Sequence, residues 1–396
     1  MKITIRPGDS FWLYSQIFRI PLSLIQASNP GILSTQLIVG NQISIPGYRT
    51  RTYFIQPNDT FWSIAIRNNL SLDSLLLLNA NINPNYLTIG QQISIPERVV
   101  SFIVTDVNNY TYEKMTDDLH RLIDIYPFIY QNAIGNSVMG KDLLELEIGT
   151  GSRVMHINGS FHANEWITTP VIMRFLNQYA LSVTNNIPIR GLSMLPYFHN
   201  TKLSLVPMVN PDGVNLVING VDSAGEYRNS VLSINNGEQD FSNWKANING
   251  VDLNNQFPAR WEVEVSRKPT SPSPRDYPGN EALSEPESIA MANLAKQRYF
   301  QKMNAFHTQG EVIFWGYDGL EPPISETIVN EYGRVSGYTP VQYIDSYAGY
   351  KDWFIQEFQN PGYTVELGTG TNPLPIEQFP EIYEETLGIM LATLYM

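Results

Sequence analysis

The chain has 396 residues, more than one hydrophobic core comfortably organises, so at least two domains are expected. A composition of 43% hydrophobic and 12% aromatic residues excludes intrinsic disorder. A formal charge of −13 excludes nucleic acid and anionic membrane as main partners, because both require a basic surface, and the lack of cysteine leaves only His and carboxylates to build a transition-metal site.

The first residues, Met1-Lys2-Ile3-Thr4-Ile5-Arg6-Pro7-Gly8, carry no apolar secretory core or small-residue cleavage site, and no apolar run reaches membrane-spanning length. This predicts synthesis in the cytoplasm. A shift of the chain against itself by 50 residues then aligns Pro7-Gly8-Asp9-Ser10-Phe11-Trp12 with Pro57-Asn58-Asp59-Thr60-Phe61-Trp62, and Gly40-Asn41-Gln42-Ile43-Ser44-Ile45-Pro46 with Gly90-Gln91-Gln92-Ile93-Ser94-Ile95-Pro96. One offset kept at both ends of so short a segment indicates duplication of a folded unit. Each unit reads β-α-α-β: a strand at 3–5 or 53–55, a helix opened by Ser10 or Thr60 as N-cap, a second apolar segment ending at Asn29 or Asn79, and a closing strand at 43–45 or 93–95. Taken singly, Trp12 and Trp62 are expected to fill the two small cores.

These units resemble the LysM family in their Asp-Ser/Thr-hydrophobic-Trp start, central Asn and closing Gly-x-x-Ile-x-Ile-Pro. The resemblance implies binding of N-acetylglucosamine-containing chains such as peptidoglycan. It sets expected boundaries of 1–48 and 49–97 for the modules and 98–396 for the domain that follows, with little room for a flexible linker at Glu97-Arg98-Val99-Val100. Access to wall peptidoglycan without a secretory signal would then follow mother-cell lysis.

From about residue 100, helical patterns at 112–126, 169–182 and 285–301 alternate with strand-like runs at 143–148, 154–158, 203–209, 302–306 and 363–367. This is the pattern of an α/β domain whose sites gather at strand ends. One run ends in Gly159-Ser160-Phe161-His162-Ala163-Asn164-Glu165-Trp166, where His162 and Glu165, three residues apart, can meet one cation from the same face of a turn. Another ends in Asn304-Ala305-Phe306-His307-Thr308, which offers a third ligand. Two His and one Glu with an open fourth position is the ligand set of a catalytic zinc. His120, His156 and His199 are read as structural or surface residues.

With Asn210-Pro211-Asp212-Gly213, Gly250-Val251-Asp252-Leu253-Asn254, Asp352-Trp353 and Tyr363-Thr364-Val365-Glu366-Leu367-Gly368, these motifs resemble the zinc carboxypeptidase family over residues 105–396. The resemblance implies a mixed central sheet flanked by helices and one zinc per chain on His162, Glu165 and His307. It further implies Glu366 as the general base toward the attacking water, and substrate contacts at Asn254, Asn255 and Tyr347.

The chain departs from the family at the clamp for a substrate's terminal carboxylate, where an Asn-Arg pair is replaced by Asn254-Asn255. An amide cannot supply the guanidinium's charge or fork. Arg is also absent from 229–259, so the cation that meets the tetrahedral oxyanion is sought at Lys245 or Arg228. Phe306-His307-Thr308-Gln309-Gly310-Glu311 and Asn372-Pro373-Leu374-Pro375 look like the subgroup of bacterial γ-D-glutamyl-L-diamino acid endopeptidases. There the unit before the scissile amide keeps a free α-carboxylate and no terminal clamp is required. A wall carboxypeptidase trimming stem-peptide ends and a non-catalytic wall-binding protein are the competing readings. The polar segments 235–249 and 267–280 are expected to be loops shaping the groove.

Overall fold

The computed structural model describes residues 1–33 and 35–396. They form two compact units, one of Met1–Ile103 with Leu119–Tyr130 and Asn177–Pro196, the other of Val104–Asp118, Gln131–Leu176 and Tyr197–Met396.

In the first unit the two modules repeat each other at the level of individual bonds. Module one has β1 (Lys2–Thr4), α1 (Phe11–Phe18), α2 (Leu22–Ala27) and β2 (Gln42–Ser44); module two has β3 (Tyr48–Phe54), α3 (Phe61–Arg67), α4 (Leu72–Leu78) and β4 (Gln92–Arg98). The strands pair antiparallel within each module. Ser10 accepts from the Leu13 N–H and Thr60 from the Ser63 N–H, so both first helices start on a side-chain cap. The Asn29 amide donates to the Ile25 and Ser44 carbonyls and accepts from the Ser44 N–H, and Asn79 makes the same three bonds to Leu75 and Ser94. The central Asn is therefore a buried staple that ties the second helix to the closing strand.

The two tryptophans are not core residues. Trp12 and Trp62 are 63% and 65% exposed, because the caps turn Phe11 and Phe61 inward and leave the next helical position facing water. The modules are also joined to the later segments of their unit. The Gly47 N–H donates to the Ile125 carbonyl, the Arg98 guanidinium to the Thr184 carbonyl, and the Tyr130 hydroxyl to the Ala27 carbonyl.

The second unit is built on a mixed sheet of eight strands among the described residues: β5 (Tyr130–Asn136), β6 (Asp142–Ile148), β7 (Arg153–Gly159), β8 (Thr201–Val206), β9 (Lys302–His307), β10 (Val312–Phe314), β11 (Thr339–Val341) and β12 (Gly362–Glu366). Their order is β11-β10-β12-β9-β7-β8-β6-β5. The inner four, β12, β9, β7 and β8, run parallel, which brings their C-terminal ends to one edge. Parallel strands need long crossovers and are covered on both faces, which explains their apolar sequence runs. The helices of this unit include Pro286–Arg298, Tyr350–Phe358 and Phe379–Tyr395.

The Asn-Pro-Asp-Gly motif is architectural. Asn210 caps the helix Pro211–Asn219 by accepting from the Gly213 N–H, and Asp212 accepts from the Met139 N–H and the Lys141 ammonium. A Cβ at Gly213 would meet the Ala246 carbonyl oxygen at 2.6 Å, so only glycine fits. His156 is fully buried, stacked on Phe300 and bonded to Ser204, while His120 and His199 lie exposed.

Candidate metal centre and active-site cavity

The turn after β7 depends on a left-handed Ser160 (φ 51°), whose N–H is held by the Thr168 hydroxyl at 2.8 Å. That bend sets His162 at the head of the 3₁₀ turn Ala163–Glu165. His307 is the last residue of β9, two strands' worth of side chains closing on one point.

His162, Glu165 and His307 are 5%, 3% and 1% exposed, and one ligand atom from each lies within 4.8 Å of the others. Among the described residues this is the one such group of three or more His or acidic residues. The Glu165 oxygens stand 2.8 Å from His162 Nδ1 and 2.9 Å from His307 Nδ1, and the two ring nitrogens are 3.1 Å apart. Two nitrogens so close, flanked by a carboxylate, share a single locus.

The opposite face of the His162 ring is also committed. Its Nε2 lies 3.1 Å from Asp252 Oδ1, and Asp252 is ion-paired to Lys245 at 3.3 Å. A carboxylate on Nε2 keeps the proton there and turns the Nδ1 lone pair toward the shared locus. Phe161 stacks against the His307 ring, 6.2 Å between centroids. Burial alone would keep His162 neutral, but the Glu165 and Asp252 carboxylates outweigh it and push the imidazole up to about 9. Such a surplus of negative charge around two imidazoles is what a divalent cation neutralises, so the donor set fits zinc.

Glu366 closes β12 and lines the same cavity, a space of about 480 Å³ bounded also by Asn164, Asn243, Lys245, Arg275, Thr308 and Phe314. Withdrawal from water, reinforced by the Glu165 charge, pushes its carboxyl up to about 8. A cation in the donor set opposes that shift.

The other expected residues separate. Asn254 lines a narrower space of about 90 Å³ together with Glu366, and its side chain accepts from the Tyr350 N–H. Tyr347 lines a further chamber of about 460 Å³, its ring covered by Arg260 and Arg267. Asn255 is buried, bonded to Lys268, and lines none of these three spaces. Of the two cations considered for the oxyanion, Lys245 faces the metal cavity, whereas Arg228 sits in an exposed ion pair with Asp222. Arg275 also faces it, from the segment 267–280, and Asn243 and Lys245 come from 235–249. Sequence reasoning missed Arg275 because that loop carries no motif; the positioning role of Asp252 was signalled only by its place in Gly250-Val251-Asp252-Leu253-Asn254.

The mixed sheet with its four parallel inner strands, the strand-end cavity and the His-Glu-His set together define a metallopeptidase of the carboxypeptidase type. Residues 115–388 match the profile of the zinc carboxypeptidase family, and the chain belongs to that family. Residues 3–46 and 53–96 match the LysM domain. Over all 396 residues, and the whole of the relative, the chain is 60% identical to γ-D-glutamyl-L-diamino acid endopeptidase 1 of Lysinibacillus sphaericus. Its fold is shared with bovine thrombin-activatable fibrinolysis inhibitor in complex with tick carboxypeptidase inhibitor (TM-score 0.57, 17% identity, 72% of this chain and 96% of that one). It is shared as well with carboxypeptidase A from Helicoverpa armigera (TM-score 0.52, 21% identity, 72% and 73%). No helix among the described residues is long and apolar enough to cross a membrane.

Proposed function

We propose that this enzyme is an endopeptidase of peptidoglycan stem peptides, cutting the amide between γ-D-glutamate and diaminopimelate with one zinc per chain. The observation that supports the reading is the pairing of a His-Glu-His donor set, with Glu366 in the same cavity, with an amide at position 255, a side chain that lines none of the three cavities. A guanidinium is the group suited to a terminal carboxylate, and its loss favours a substrate that continues past the scissile bond. The name of the Lysinibacillus sphaericus relative supports the same bond.

His162, Glu165 and His307 would hold the zinc, and the bound metal would supply Lewis acidity toward the scissile carbonyl and water. Glu366 takes the proton of the attacking water and returns it to the leaving amine, as its place across from His307 allows. Asp252 holds the His162 ring, and Lys245 and Arg275 bring positive charge to the oxyanion side of the cavity. The repeats hold the enzyme on N-acetylglucosamine-containing glycan, Trp12 and Trp62 offering exposed rings for sugar stacking. The work fits wall or spore peptidoglycan turnover.

The test is digestion of L-Ala-γ-D-Glu-meso-diaminopimelate-D-Ala followed by mass spectrometry. The expected products are L-Ala-D-Glu and the diaminopimelate-D-Ala dipeptide. Release of D-Ala alone would instead make the enzyme a carboxypeptidase, and an inert digest with zinc-loaded protein would leave a wall-binding protein.

A further inference from the structure

Charge is unevenly spread along the chain. Residues 1–98, which form the two repeats, hold seven Lys and Arg against four Asp and Glu, whereas the whole chain has 25 against 38. A net positive segment on an acidic enzyme points to an anionic partner of its own. The two modules are also tied to each other, because the Arg6 guanidinium reaches from module one to Asp73 at the start of α4 and makes a fork of two bonds, 2.7 and 3.0 Å.

Between the modules lies a cleft of about 480 Å³, walled by the end of α1, the α3–α4 connection and the strands β3 and β4. Three guanidiniums line it, those of Arg19, Arg51 and Arg98, against the one carboxylate of Glu97. Arg98 is built into the wall: it lies over the Tyr48 ring at 4.8 Å and donates to the Phe18, Arg19 and Thr184 carbonyls. Arg19 is the exposed left-handed C-cap of α1, and Arg51, held by Asn68 at 3.0 Å and Glu97 at 3.8 Å, keeps 43% of its side chain in water. Apolar Ile17 and Leu70 stand beside the amides of Asn68 and Asn69 in the same lining. Neither Trp12 nor Trp62 belongs to it, so the cleft is separate from the exposed rings.

We propose that this inter-module cleft binds the stem peptide of the wall strand on which the repeats sit, with Arg19 and Arg51 pairing its free carboxylates. A guanidinium fork matches a carboxylate, the Asn68 and Asn69 amides match peptide groups, and Ile17 and Leu70 match the methyl groups of alanine. A polyol-phosphate polymer carries the negative charge but has nothing for the apolar part of the wall. The repeats then hold a strand by its sugars and by its peptide together, which selects peptide-bearing glycan over bare glycan such as chitin. This deepens the reading of the repeats as anchors on wall glycan and rests on it.

The experiment uses the zinc-loaded full chain carrying Glu366→Gln, so that stems outlast the measurement, and mass spectrometry of the recovered strands checks that they do. Calorimetry compares three soluble probes: uncross-linked glycan strands with tetrapeptide stems, the same strands stripped of their stems by an amidase, and poly(glycerol phosphate). Stem-bearing strands are expected to bind about 10-fold more tightly than stripped ones at low salt, the order of one or two charge-assisted bonds. That advantage shrinks as ionic strength rises, because Arg19 and Arg51 are exposed. With Arg19→Met and Arg51→Met added together the ratio falls toward unity, while affinity for stripped strands is kept and reports an intact fold; Arg98 is left in place because three carbonyls depend on it. Equal affinity of the unsubstituted cleft for stem-bearing and stripped strands would overturn the assignment and leave the glycan reading intact, as would a preference that survives both substitutions. Poly(glycerol phosphate) bound as tightly as stem-bearing strands would make the occupant a phosphate polymer and overturn the stem-peptide assignment. Failure to bind either kind of strand would overturn the glycan reading as well.

Discussion

His307 and Glu366 are register partners in the parallel pairing of β9 with β12, each the last residue of its strand. Neighbouring strands lie about 4.8 Å apart, and partners in the ladder share a face, so the proposed metal ligand and the proposed proton acceptor are spaced by the backbone itself rather than by rotamer choice. The Leu367 N–H to His307 carbonyl bond, 2.8 Å, locks the pair at the strand ends.

Glu366→Gln keeps the size of the side chain and removes the proton acceptor. It is expected to lower kcat by about 10²- to 10⁴-fold with zinc content and KM nearly unchanged. Parallel metal analysis and steady-state kinetics check this; loss of zinc would make Glu366 a ligand, and a near-normal kcat would remove it from the mechanism.

His307→Ala deletes one of the three donors. The variant is expected to be inactive and to retain no stoichiometric zinc after dialysis, while its far-ultraviolet circular dichroism stays close to that of the metal-free wild type. Full metal occupancy with normal turnover would contradict the ligand set.

Asp252→Asn addresses positioning rather than ligation. The amide weakens the hold on His162 Nε2 and leaves Lys245 with Asp276 as its remaining ion-pair partner, so zinc affinity should fall about 10- to 100-fold. Competition with a chelator measures it, and an added excess of zinc should restore much of the activity, which a role in the chemical step would not allow.

The attachment of the repeats is best tested by side chains and not by deleting 1–97, because that segment is bonded to 119–130 and 177–196 within its own unit. Trp12→Ala with Trp62→Ala should lower sedimentation with insoluble peptidoglycan at least about 10-fold while hydrolysis of soluble muropeptides is kept, since the repeats raise local concentration and take no part in the chemical step. Unchanged sedimentation would place the glycan contacts elsewhere on the modules.

His156 provides a pH dependence of folding. Burial lowers its pKa from 6.5 to about 3, so the unfolded chain binds a proton that the folded chain refuses, and stability is lost as pH falls from 6.5 through 3. In the metal-free protein, urea midpoints at pH 7 and pH 4 should differ less for His156→Asn than for wild type. Equal differences would show that other groups govern the acid limb.

What the chain determined by itself lay where one residue's chemistry repeats or is irreplaceable. The repeats were legible because Ser10 and Thr60 as caps, and Asn29 and Asn79 as staples, need the same residue types at the same offset. The candidate ligand turn was legible because His162 and Glu165 stand three apart beside a strand end, and they converge with His307. Long-range placement was decided only by tertiary structure. Phe11 and Trp12 are adjacent apolar residues, and only the cap geometry determines which of them faces inward. Arg275 reaches the cavity from a loop without periodicity, and although Asp352-Trp353 is one of the motifs, nothing local shows that Lys351 and Asp352 are buried. Their burial depends on the packing of the helix Tyr350–Phe358 beside β12, which turns two charged residues into a cavity wall. That packing is the summed preference of many apolar contacts, which no local pattern encodes.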